Sequence, residues 1–70
     1  MRKPVPTRDE TTYGSEASAL RKAQRVGLPN IDKYGAEELS TGWVGVVYLR
    51  PDQMWMARHV IESGCRVGKL

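Results

Sequence analysis

The strongest pattern in the chain is the run Trp43-Val44-Gly45-Val46-Val47-Tyr48-Leu49, seven residues that are almost all β-branched or aromatic. Alternation puts Trp43, Gly45, Val47 and Leu49 on one side and Val44, Val46 and Tyr48 on the other. Both sides are apolar, which predicts a strand covered on both faces. Gly45 marks a bulge or a close backbone approach.

Upstream, residues 15–26 predict an amphipathic helix. Ser15 is suited to the N-cap, Glu16 to the positive end of the helix dipole, and Gly27 followed by Pro29 to the stop. At 100° per residue Ala19, Leu20, Ala23 and Val26 share one face, while Arg21, Lys22 and Arg25 share the other. The apolar face is mostly alanine, so this helix is expected to approach its neighbour closely while burying little area. Residues 28–42 read as a loop with one short helix at Ala36-Glu37-Glu38-Leu39, bracketed by Gly35 and Gly42. Arg50-Pro51 ends the strand, and Pro51 suits the first position of a second helix running to about Ser63, with Gly64 beyond its end. Met54, Ala57 and Ile61 line its apolar face, extended by Val60 and Met56. Residues 65–70 form a short final strand, parallel to the first or antiparallel through another strand. The expected core is Val47, Leu49, Met54, Ala57 and Ile61. The fold class is α+β: a flexible N-terminal tail over 1–14, with Pro4 and Pro6 in mostly polar sequence, and a single small domain over 15–70.

Composition narrows the function classes. With 70 residues, a single domain buries only about 60% of its unfolded surface, leaving little room for a deep active site. Cys65 is the only cysteine and His59 the only histidine, so no intrachain disulfide and no Cys/His zinc cluster can staple the fold. A lone thiol suits a reducing cytoplasm. No apolar run reaches membrane-spanning length, and the expected localisation is cytoplasmic. The formal net charge is +3, and the whole surplus falls in residues 1–35, which hold seven basic groups against four acids. A basic flank of this kind suits an acidic partner, protein or nucleic acid.

Candidate chemistry is sparse. His59, Glu62 and Cys65 match neither a nucleophile–base signature nor a metal-ligand spacing. The stretch Gly64-Cys65-Arg66-Val67-Gly68-Lys69 has three residues between its glycines where a phosphate-binding loop needs four, and Leu70 where that loop needs Ser or Thr. The residues predict no enzyme, no cofactor, no metal and no small-molecule substrate. They offer two groups for partner binding. Arg21, Lys22 and Arg25 form a basic helical stripe, able to contact phosphate or to serve as an ordinary solvated face. Trp55, with Arg58 and His59 nearby, falls outside the apolar arc and either widens the core or anchors an interface.

From Thr7-Arg8-Asp9-Glu10 through Gly42-Trp43-Val44-Gly45 the chain resembles small phage-encoded proteins that bind host RNA polymerase and reprogram transcription. The resemblance implies a non-enzymatic regulator in the host cytoplasm that contacts polymerase subunits, inhibits initiation and allows read-through of terminators. The alternative reading of the residues is a small basic nucleic-acid-binding protein.

Overall fold

In a computed structural model, which describes residues 3–70, the chain runs through helix α1 (Glu16–Gln24), strand β1 (Lys33–Leu39), strand β2 (Gly42–Leu49), a 3-10 helix (Pro51–Met56), helix α2 (Ala57–Glu62) and strand β3 (Arg66–Lys69). The sheet order is β1-β2-β3, with β1 antiparallel and β3 parallel to the central β2. The class is mixed α+β. The parallel pairing of Val46 with Arg66 through Leu49 with Lys69 settles the two directions the sequence left open for the final strand.

Central placement follows from composition: Val44, Val46, Val47 and Leu49 are all fully buried. On the odd-numbered face, Val47 and Leu49 join Ala23, Met56, Val60 and Cys65 in one cluster. Helix α1 begins as its sequence predicts, with the Ser15 hydroxyl accepting from the Ser18 backbone N–H at 3.2 Å. Its alanine face lies directly on β2. A Cβ built on Gly45 would stand 2.6 Å from the Ala19 carbonyl oxygen and 3.1 Å from the Ala23 Cβ. Gly45 therefore serves close approach of helix and strand.

Two expectations are corrected. Residues 36–39, expected as a short helix in a loop, belong to β1, which pairs with β2 from Lys33↔Tyr48 to Leu39↔Gly42. Seven paired positions outweigh the local helix preference of Ala-Glu-Glu-Leu, and Tyr34 and Ala36 fall on the face toward α1. The second helix is also rephased. Its first six residues form a 3-10 helix, advancing about 120° per residue where an α-helix advances about 100°. Gln53, Met56 and Val60 turn inward as a result, while Ile61, expected in the core, is 43% exposed. Met54 and Ala57 pack at the edge of the cluster. Gln53 is buried without penalty: its Oε1 accepts from the Arg50 N–H at 3.1 Å and its Nε2 donates to the Asn30 carbonyl at 2.7 Å.

The even-numbered face of β2 is covered by the N-terminal segment. Met1 and Arg2 of the expected flexible tail lie outside the described residues; residues 3–14 are tied to Glu37 and Arg66 through Glu10, and those two stand in register with Val44 and Val46 on that face. The Pro4 carbonyl accepts from Ser40 N–H at 2.8 Å, Thr11 N–H donates to the Gly64 carbonyl at 2.9 Å, and Tyr13 exchanges two backbone hydrogen bonds with Trp43. Glu10 clasps Arg66 through two hydrogen bonds, 2.7 Å from Nε and 3.0 Å from Nη2, and Arg66 Nη1 reaches Glu37 of β1 at 2.8 Å. One guanidinium thus joins the segment, β1 and β3 in a single network. Gly64 has φ +85°, and a Cβ there would meet the Thr11 hydroxyl oxygen at 2.5 Å, so this junction is both left-handed and crowded.

Leu49→Ala should destabilise the domain by about 2–5 kcal/mol, whereas Ile61→Ala should cost less than about 1 kcal/mol. Thermal melts of the two variants check the rephased helix. A second expectation concerns acid. The Arg66 hydrogen bonds hold the Glu10 carboxyl below the ordinary glutamate value, against opposing desolvation and with help from the Thr7 backbone N–H. The stability this supplies is complete above the ordinary value and is lost as pH falls through the lowered folded value. Glu10→Gln should cost about 1–3 kcal/mol at neutral pH. Its melting temperature should also fall less steeply than that of the wild type on acidification, as melts over an acid series would show.

Candidate functional site

The sequence-predicted binding residues divide between two surfaces. The first belongs to α1. Positions 18, 21, 22 and 25 recur at helical spacing on the side away from Ala19 and Ala23, so their side chains form one stripe. Ser18, Arg21, Lys22 and Arg25 line an open cleft of about 240 Å³ with Tyr13 as its fifth residue. Arg21 and Lys22 occupy the last turn, where positive charge also complements the helix dipole.

Charge pairing elsewhere makes this stripe distinctive. Among the described residues every acid except Glu16 has a basic nitrogen within 4.0 Å: Asp9 faces Arg8, Asp32 and Asp52 face Arg50, Glu38 faces Lys3, and Glu62 faces Arg58, in addition to the Arg66 network. Arg21, Lys22 and Arg25 have no acidic partner among those residues. Lys33 and Lys69 also lack one, but they stand on separate strands, so α1 carries the largest group of unpaired cations among the described residues.

The second surface surrounds the 3-10 helix. Trp55, which the sequence left between core and anchor, is 77% exposed. The 3-10 winding explains the outcome, because the inward face is already taken by Gln53 and Met56. Arg58 follows on α2 with its side chain in solvent and its Nε 3.8 Å from Glu62 Oε2. An apolar hollow lined by Leu49, Pro51, Met54, Lys69 and Leu70 lies at the same end of the sheet. Neither Trp55 nor Arg58 lines the α1 cleft, so the five predicted residues do not converge on one site.

Sequence reasoning missed Tyr13 and Ser18. Ser18 was legible from helical spacing, three residues before Arg21. Tyr13 reaches the cleft only through its bridge to Trp43, a pairing with no local signal. Trp43 itself, the first residue of the predicted strand, is half-buried at that bridge.

The remaining candidates differ in their access to solvent. Cys65 is buried, and burial pushes its thiol up, with Lys22 acting weakly in the opposite direction. That favours the inert protonated form. His59 and Glu62 are exposed on α2. Among the described residues no group of three His, Cys, Asp or Glu side chains could hold a metal ion, and no helix is long and apolar enough to cross a membrane.

Comparison with known proteins adds no relative: no family model, no curated protein and no solved structure matches this chain. The fold and its surfaces define a small α+β domain with an exposed tryptophan and a separate basic helix.

Acrylamide quenching tests the contrast between the two tryptophans. Trp55→Ala should remove most of the quencher-accessible emission, leaving the weaker quenching of half-buried Trp43. Its melting temperature should stay close to the wild-type value, because an exposed side chain contributes little to stability.

Proposed function

We propose that this protein is a non-enzymatic regulator of transcription that binds bacterial RNA polymerase and acts by occupying it, inhibiting initiation and promoting read-through of terminators. The observation that supports a docking role is the exposure of Trp55. A large aromatic held out on a short helix, with an arginine three residues further on, has the composition of an interface anchor. The choice of polymerase as partner comes from the resemblance of residues 7–45 to phage-encoded polymerase-binding regulators. A surface of this kind binds a protein groove without chemistry, and the protein then works in the host cytoplasm as a stoichiometric ligand.

In vitro transcription with purified bacterial polymerase tests the reading. Inhibition of initiation and terminator read-through should saturate at a fixed ratio of protein to polymerase, whereas a catalyst would act at substoichiometric amounts. Trp55→Ala should weaken the effect by at least about 2 kcal/mol in binding, or about thirtyfold in the concentration required. No effect on initiation or termination at saturating protein would refute the polymerase assignment.

A further inference from the structure

We infer that the α1 cleft is a contact site for the phosphodiester backbone of double-stranded DNA, engaged without reading the bases. This surface is separate from Trp55 and does not depend on the polymerase reading. Three observations converge on it. Arg21, Lys22 and Arg25 have no acidic partner among the described residues, while seven acids elsewhere are held in ion pairs. The three cations share one open cleft with two hydroxyl-bearing side chains, Ser18 and Tyr13. The stripe is also rigid, because the opposite face of the same helix is locked against Gly45 through Ala19 and Ala23.

The chemistry favours phosphate. Arginine presents a planar fork of donors matched to phosphate oxygens, lysine adds a point charge, and hydroxyls supply the neutral donors common in backbone contacts. Arg21 and Arg25 stand one turn apart, about 6 Å along the helix axis. Duplex DNA carries a charge about every 1.7 Å of its axis, so neighbouring phosphates come within reach of both. Single-strand binders need several aromatic platforms for successive bases. This cleft has Tyr13 alone, and Tyr13 is tied by its backbone to Trp43. A continuous duplex backbone is therefore the better match.

Salt dependence gives the test, with fluorescence anisotropy of the full-length protein on a labelled duplex of arbitrary sequence. Three phosphate contacts predict a slope of log K against log salt of about −2.7, so affinity should fall about fortyfold between about 50 mM and about 200 mM salt. R21Q combined with R25Q should bring the slope to about −0.9, and both positions are exposed, so an unchanged melt should certify the fold. K69Q removes one charge from strand β3, outside the cleft, and should leave the slope at its wild-type value. A second duplex of unrelated sequence should bind with the same affinity, and single-stranded RNA more weakly. Absence of measurable duplex binding at about 50 mM salt, an R21Q/R25Q slope equal to wild type, an equal loss from K69Q, or tighter binding to single-stranded RNA would each overturn the assignment. The assay contains no polymerase, so its failure and the failure of the transcription assay are separate results.

Discussion

A strand that is apolar on both faces must be covered on both faces, and in a chain of this size that requirement organises everything else. The four buried aliphatic side chains of β2 divide two and two between its faces, Val44 and Val46 on one and Val47 and Leu49 on the other. Two helical segments cover one side. The N-terminal segment, tied to Arg66 and Trp43, covers the other. The sheet is thereby a three-layer arrangement in miniature, with an irregular strap as its third layer. The Arg66 guanidinium fixes that strap because it lies between Glu10 and Glu37 and bonds to both. Its ion pairs are worth more than those on the open surface, since the Glu10 side chain is only 7% exposed and the network is hydrogen-bonded throughout.

Local signals and long-range pairings differ in how far they can be read from the residues. The α1 helix was legible because its N-cap, dipole charges and alanine face all lie within a dozen residues. The β2 strand was legible because β-branched residues dominate both of its faces. Gly45 was readable as a close approach for the same reason. By contrast, β1 has a helix-prone sequence, and its state is set by a partner strand that supplies backbone hydrogen bonds and a face to fill. The second helix was found, yet its inward residues were misassigned. Its opening turns wind at a different pitch, and nothing in the residue pattern announces where 3-10 winding gives way to α. Of the candidate surfaces, the basic stripe was legible from helical spacing, whereas the exposure of Trp55 depended on that pitch.

The distribution of charge separates stability from recognition. Acidic residues pair with nearby basic groups, so most of the surface is locally neutral. Three of the cations without an acidic partner stand on a helix whose packing face is made of alanine and contributes little side-chain area to the core. The same element therefore presents a field to solvent and a smooth backbone to the sheet. Trp55 shows a comparable division on the other helical segment: Met56 and Gln53 do the packing, and the largest side chain is left outside.

The clasp between Glu10 and Arg66 joins residues 56 positions apart in sequence. Such a contact forms only after β3 has been synthesised, because its second half lies in that strand. The hairpin of β1 and β2 and the packing of α1 on it are closer in sequence and can assemble earlier. During that interval Val44 and Val46 face water, and the nascent domain exposes a sticky aliphatic surface on its even side. Closing the Glu10–Arg66 clasp is then a late step, and it shortens the exposure of an aggregation-prone surface. The order of assembly is written into the topology: the segment can meet Ser40 and Trp43 early, but its clasp waits for β3.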